Sequence, residues 1–216
     1  MDQEALIEAL RKVACASLAD AIEQVAARPG HLDPSIRPQI NDRRMVGPAV
    51  TIACVATDER VPPQHSLEAI DQAAPGSVVV IGADGKTDVA LWGGLMSAGA
   101  FARGLAGAVL DGGVRDVVEI KREYDFPIYA RDVTLGIMIG RFKTVAANVP
   151  VLCGGITIHP GDIIVADADG VVAVPHVHAE AILKLAGEID ERETEQAKLI
   201  VQEKSVLKGL AKYGRI

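Results

Sequence analysis

The stretch ALWGGLMSAGAFARGLAGAVLDGGVRDVVEIKREYDFPIYARDVT, residues 90–134, decides the fold. Gly93 and Gly94 open a run of small residues that reads as a helix over 93–104. The apolar run Leu105–Leu110 then reads as a buried strand that stops at Asp111-Gly112-Gly113. A second glycine-opened helix is expected over 114–124, and another strand over 126–134. Helices and buried strands in alternation imply helices layered on a sheet with parallel strands.

The flanks extend this pattern. Residues 3–27 place Leu6, Leu10, Val13, Leu18 and Ile22 at helical spacing, with Ser17 as candidate cap of a second helix, Leu18–Ala26. Three prolines in 28–39 forbid a continuing helix. Residues 45–56 read as a buried strand, and 58–76 as a loop followed by a short helix. Residues 77–85 read as a strand entering a glycine-rich turn before Asp88–Trp92. The segment 144–175 is β-rich and punctuated by Gly, Pro and Asp. Residues 177–212 read as one long helix, apolar at Ile182, Leu185 and Ile189 and charged elsewhere. The expectation is one α/β domain over residues 1–216. Its sheet is mixed rather than doubly wound, and its long C-terminal helix docks on a neighbouring subunit.

Composition excludes several classes. Nearly half of the 216 residues are hydrophobic, enough for a sizeable core. Aromatics make up 3% and the net charge is −7 without a basic cluster, which argues against nucleic acid. Cys15, Cys54 and Cys153 lie far apart in apolar surroundings and read as reduced, buried thiols. The N-terminus has no apolar signal core, and no run approaches the roughly 18 apolar residues that span a bilayer. A soluble cytoplasmic protein is expected.

The chemistry-bearing candidates cluster at the two glycine pairs. Helix N-termini present unpaired N–H groups that favour an anion, and small residues allow its close approach. The same pairs also suit plain tight turns. Arg115 can grip a carboxylate bidentately, and a lone strand-end Asp116 can hold a Mg²⁺ that keeps its waters. Adjacent helical residues point about 100° apart, so the two need not pair. The dipeptide recurs at Arg131-Asp132 without glycines, and there it reads as surface charge. The run ADADG at 166–170 lacks the later ligands of a calcium loop and reads as a β-turn. None of the five histidines stands at metal spacing with a partner.

Residues 90–134, with VGPAVTI, APGSVVVI and IHPGDIIVADADGVVAVP, resemble the RraA-like family over roughly residues 5–195. That family contains ribonuclease E inhibitors and class II, metal-dependent pyruvate aldolases. Its signature is a small or acidic residue, twenty intervening residues, Arg-Asp, and an acid three further on. Gly94, Arg115, Asp116 and Glu119 fit it. The resemblance implies a swivelling β/β/α-type fold assembled as homotrimers or hexamers, with sites between subunits. It implies that the amides of Gly93, Gly94, Leu95 and Met96 hold a pyruvyl carboxylate. Arg115 would contact the 2-oxo acid and stabilise its enolate, and Asp116 would anchor Mg²⁺ or Mn²⁺. The implied reactions are retro-aldol cleavage of a 4-hydroxy-2-oxo acid and oxaloacetate decarboxylation. Many aldolases of the family carry an acid where this chain has Gly94, which touches the proton transfer of aldol cleavage more than decarboxylation. A C-terminal acid of the neighbouring subunit also joins such sites, with Glu191, Glu193 and Glu195 as candidates. The alternative function is that of a non-catalytic regulator of ribonuclease E. Segments 57–66 and 132–142 are expected to select the substrate.

Overall fold

The computed structural model describes residues 1–211, and for Asp84, Lys86 and Thr87 it describes the backbone alone. Two helices open the chain, α1 (Gln3–Leu10) and α2 (Cys15–Ala26). Ser17 does not cap α2, because it lies inside the helix with its side chain buried. Its hydroxyl donates to Asp190 Oδ1, while Asp190 Oδ2 accepts the Ala14 N–H. The N-terminus of α2 is thus satisfied by a carboxylate 176 positions away, which no local pattern reveals.

Next come β1 (Arg37–Pro38), β2 (Met45–Ala56) and α3 (Gln64–Gln72). The central block is β3 (Val78–Trp92), α4 (Gly94–Ala102), β4 (Gly107–Val114), α5 (Val117–Glu123) and β5 (Ile128–Val133). Shorter strands follow: β6 (Phe142–Ala147), β7 (Val151–Cys153), β8 (Ile156–Ile158), β9 (Ile163–Asp167) and β10 (Gly170–Val174). A single 3₁₀ turn leads into α6 (Ala179–Glu203) and then α7 (Val206–Leu210).

The main sheet runs β1-β5-β4-β3-β2-β9-β10, with β6 paired to β2. The pairs β2–β3, β3–β4 and β4–β5 are parallel, and the outer pairs are antiparallel. This is the expected mixed sheet. β3 does not break at its glycine-rich turn. It continues to Trp92 and absorbs the extra residues as register shifts against β4, Ile81 facing Leu110 and Lys86 facing Gly112.

β4 is buried along its whole length, as an interior parallel strand should be. Its residues alternate between two cores. Ala108 and Leu110 join Ile70, Ala100 and Ile120 beneath α3, α4 and α5. Val109 packs with Val80, Tyr129, Cys153 and Ile158 on the other face. A third cluster sets Leu10, Leu18 and Ile22 against Ile182, Ala186 and Ile189, so α6 packs on its own chain's N-terminal helices. The C-terminal segment is two helices rather than one. Lys204 takes a left-handed conformation (φ 48°) that ends α6, and α7 folds back onto it. Lys212, the end of the predicted helix, lies outside the described residues. The run at 166–170 is the turn between β9 and β10, as its sequence predicts. No helix among the described residues is long and apolar enough to cross a membrane.

Candidate active site

The site forms where β3 and β4 end side by side. The N–H of Arg115 donates to the Trp92 carbonyl at 3.1 Å, which aligns the two strand ends. Gly112 and Gly113 do not open a helix; they are buried inside β4. The turn comes later, at Asp116, which adopts a left-handed conformation (φ 59°, ψ 28°) and heads α5. Aspartate tolerates that region better than most residues, but the conformation still costs roughly 1 kcal/mol or more. What the bend achieves is aim. Asp116 Oδ2 accepts the Gly94 N–H at 2.9 Å and lies 3.4 Å from Arg115 Nε. Arg115 and Asp116 therefore do touch, since the left-handed turn replaces the helical geometry that would separate them.

At Gly93 and Gly94 it is close approach of side chains, not backbone conformation, that a larger residue would meet. A Cβ on Gly93 would stand 2.7 Å from Asp116 Oδ2 and 3.1 Å from Arg115 Nε. A Cβ on Gly94 would stand 2.9 Å from Glu119 Oε1. Two carboxylates thus lean on the glycine pair, and Glu119 occupies the space a side chain at position 94 would fill. Beneath them, the Ser97 hydroxyl accepts the Trp92 indole N–H at 2.8 Å and donates to the Gly93 carbonyl at 3.1 Å. Trp92 is buried and stacks on Phe126 at 6.1 Å, so the turn rests on a rigid floor.

A cavity of about 250 Å³ opens at this point. Gly93, Gly94, Leu95, Met96 and Arg115 all line it, so the structure gathers five of the six residues singled out in the sequence. The sixth, Asp116, stands against the glycines just outside the lining. Leu95 and Met96 occupy the first turn of α4, whose amides have no intrahelical acceptor. The Gly94 amide is already held by Asp116, which leaves the next two for an anion. The opposite wall comes from Pro63, Leu67, Ile137, Met138 and Ile139. These belong to or adjoin the segments 57–66 and 132–142. The Ala90 N–H donates to the Gly136 carbonyl at 2.6 Å and pins the second segment across the strand end.

Among the described residues, no group of three or more His, Cys, Asp or Glu side chains gathers to hold a metal. A closed zinc cage is therefore not present among them. A hard ion that keeps most of its waters needs only one or two carboxylates. Asp116 Oδ2 accepts the Gly94 N–H and forms an ion pair with Arg115, and the Glu119 carboxylate stands against the neighbouring Gly94. Carboxylate oxygens are the donor type that Mg²⁺ or Mn²⁺ takes.

In the second Arg-Asp pair Asp132 is exposed, as expected of surface charge, but Arg131 is not. Arg131 is mostly buried and pairs with buried Asp111 at 2.7 Å and with Asp33 at 3.3 Å. Asp111 Oδ2 also accepts the Gly85 N–H at 3.1 Å. The network clamps β5 to β4 and to the loop before β1. Glu191, Glu193 and Glu195 lie on α6 and border grooves that share no residue with the Arg115 cavity.

Comparison with known proteins bears on this arrangement. Residues 15–173 match the family model described as RraA-like, aldolase/RraA. The chain belongs to the RraA-like family. It is 34% identical over 184 residues to a Halalkalibacterium halodurans protein named "Putative 4-hydroxy-4-methyl-2-oxoglutarate aldolase", covering 83% of this chain and 81% of that one. A solved structure from Pseudomonas syringae pv. tomato superposes with a TM-score of 0.87 at 29% identity, covering 98% of this chain and 95% of that one. Streptomyces coelicolor RraAS2, described as an unusual member of the RNase ES inhibitor RraA protein family, superposes with a TM-score of 0.79 at 28% identity, covering 90% and 96%. The RraA-like fold is the layered α/β arrangement described above, with its mixed sheet and long C-terminal helix.

Glu119 is the residue that sequence reasoning placed in a pattern without giving it work. Its place beside Gly94 depends on the left-handed turn at Asp116, which no spacing rule anticipates. Ser97 and Trp92 were likewise unmarked. Their five-residue separation straddles a strand–helix junction rather than one helix face.

Proposed function

We propose that this RraA-like chain is a divalent-metal-dependent carbon–carbon lyase. It would release pyruvate from a 4-hydroxy-2-oxo acid such as 4-hydroxy-4-methyl-2-oxoglutarate, and decarboxylate oxaloacetate through the same enolate. The observation that carries this reading is Arg115 on the cavity wall with the Asp116 and Glu119 carboxylates against Gly93 and Gly94. The first-turn amides of Leu95 and Met96, with Arg115, would orient the substrate carboxylate. Asp116 would hold Mg²⁺ or Mn²⁺ with Glu119 beside it. When bound, such an ion supplies Lewis-acid polarisation of the 2-oxo group. The Arg115 guanidinium would balance the charge that develops on the enolate oxygen as the bond at C3 breaks. In aldol cleavage Glu119 Oε1 would take the proton of the C4 hydroxyl, the role left open by Gly94. Decarboxylation needs no such transfer.

Exposed apolar side chains mark this region: Leu95, Leu135 and Val118. That pattern supports a subunit contact, and the assembly proposed is a homotrimer or a dimer of trimers. Light scattering coupled to size-exclusion chromatography tests it, and a monomer at micromolar concentration would contradict it.

The functional test is coupled detection of pyruvate from oxaloacetate and from 4-hydroxy-4-methyl-2-oxoglutarate, with Mg²⁺ and with EDTA. Metal-dependent release from at least one substrate is expected. Its absence from both removes the proposal. The likeness to an RNase ES inhibitor family member, with the net charge of −7, favours a second reading as a regulator that binds a basic protein segment. A pull-down with the basic region of ribonuclease E at low salt tests it, and no retention would dismiss it.

A further inference from the structure

A second cation stands behind the apolar wall of the cavity. Pro63 and the β5–β6 loop residues Ile137, Met138 and Ile139 belong to two segments that are zipped together. The Gly140 N–H donates to the Glu59 carbonyl at 3.2 Å, and the Thr57 N–H to the Arg141 carbonyl at 2.9 Å. Glu59 is in turn paired with Lys143. Arg141 fastens the loop from within. Its N–H donates to the Met138 carbonyl at 2.9 Å, and its guanidinium Nη1 to the Ile137 carbonyl at 2.8 Å. Both acceptors belong to residues that line the cavity. One of the five N–H donors of the guanidinium is thus engaged, and Arg141 forms no ion pair among the described residues. A neutral amide could donate the same bond to a carbonyl, so the loop itself does not need the charge. Arg60 lies beside it: a Cβ on Gly140 would stand 3.3 Å from Arg60 Nη1. Arg60 also has no acidic partner among the described residues, and both side chains are exposed.

On this basis, and resting on the lyase reading above, we infer that Arg141 selects substrates that carry a second carboxylate, with Arg60 reinforcing its field. Arg115 and the amides of Leu95 and Met96 take the 2-oxo acid end. Arg141 takes the carboxylate at the far end of the chain. A carboxylate brought against hydrocarbon without a donor loses its hydration uncompensated, whereas a guanidinium offers it two parallel hydrogen bonds. A cavity of about 250 Å³ exceeds what a pyruvyl unit fills and leaves room for the rest of a short diacid. The two substrates named above use this contact differently. 4-Hydroxy-4-methyl-2-oxoglutarate keeps its far carboxylate throughout the cleavage, while oxaloacetate loses its own as CO₂.

The test uses two ligands of equal chain length, 2-oxoglutarate and 2-oxopentanoate, which differ at the far carboxylate. Neither has a C4 hydroxyl, so binding is read without turnover. Isothermal titration of the full-length protein with Mg²⁺ should show 2-oxoglutarate bound on the order of tenfold more tightly or better, as one charge-assisted pair warrants. Arg141→Gln keeps a donor for the Ile137 carbonyl and removes the charge. It should abolish most of that preference by weakening 2-oxoglutarate alone, at an unchanged melting temperature. Arg141→Lys should retain part of the preference, because it keeps the charge without the fork. A loss shared equally by both ligands in Arg141→Gln would mean that Arg141 only shapes the loop, and overturns the inference. So do a preference unchanged in Arg141→Gln, equal binding of the two ligands by the unaltered protein, and binding of neither. Failure of the lyase reading is seen separately, as no pyruvate from any hydroxylated substrate by a protein that still prefers 2-oxoglutarate through Arg141.

Discussion

At the residue scale, the decisive feature is contact between two glycines and two acids. Gly93 and Gly94 are legible in the sequence as a glycine-opened helix, but the reason for them is not. The Asp116 and Glu119 carboxylates lie against them, and a methyl group at Gly93 would come within 2.7 Å of Asp116 Oδ2. Gly93→Ala should therefore push the Asp116 side chain off the Gly94 amide. Metal-dependent turnover should fall by more than about tenfold, since misplacement of a positioning group by an ångström is costly. The melting temperature should move by only a few degrees, because one exchanged hydrogen bond is worth about 1 kcal/mol. Steady-state kinetics beside a thermal melt would show both. Arg115→Ala should lower kcat/KM by roughly two to three orders of magnitude, the usual consequence of removing a charge-stabilising donor. Arg115→Lys should recover little of that, because an ammonium lacks the planar fork. The pairing of Arg115 with Asp116 was not legible, because the left-handed φ of Asp116 cannot be read from residue types.

At the scale of elements, local pattern worked where burial is periodic. Met45–Ala56 forms β2 with the predicted limits, and α4 and β4 follow the alternation of small and apolar residues. It failed where a distant charge sets the structure. The start of α2 is fixed by Asp190 of α6, and Arg131 is drawn into the protein by Asp111 of β4. A dipeptide carries no record of either partner. The buried pair makes a sharp prediction. Arg131→Met would leave Asp111, 4% exposed at its side chain, without its cation. Breaking such a pair should destabilise the fold by about 3–5 kcal/mol in urea unfolding. Adding Asp111→Asn should return part of that loss, and full additivity of the two changes would show that the pair is not coupled.

At the scale of the whole molecule, three cores are joined through one mixed sheet, and the thiols report on their integrity: Cys15 and Cys153 are buried, as expected, while Cys54 is half-buried. Burial pushes Cys15 and Cys54 up to about 12 from 9.0, with an Asp167 hydrogen bond adding to the shift at Cys15. Cys153 is raised as well, again first by burial. The linkage has one sign. Below about pH 9 both folded and unfolded thiols hold their protons, and these groups leave stability unchanged. Between 9 and about 12 the unfolded chain loses protons that the native state keeps, so stability must fall as pH rises. Melting temperatures should decline progressively above pH 9, and iodoacetamide should label the native protein slowly at pH 8 but the urea-unfolded chain quickly. Flat stability from pH 8 to pH 11 would contradict the buried placement.

The layered α/β class and mixed sheet were legible because they rest on short-range periodicity. The break at Lys204 and the packing of α6 on α2 were not, since both depend on the finished tertiary surface. The proposed function joins all three scales: a carboxylate held by a left-handed turn at the ends of two parallel strands would hold the divalent ion of a lyase site. Asp116→Asn tests it most directly, because asparagine keeps the size of the side chain and its tolerance of the left-handed turn while removing the charge. Pyruvate release from oxaloacetate, titrated with Mg²⁺, should saturate for the unaltered protein. It should show no Mg²⁺ response in Asp116→Asn, at an unchanged melting temperature. Equal Mg²⁺-stimulated release by both proteins would contradict the account.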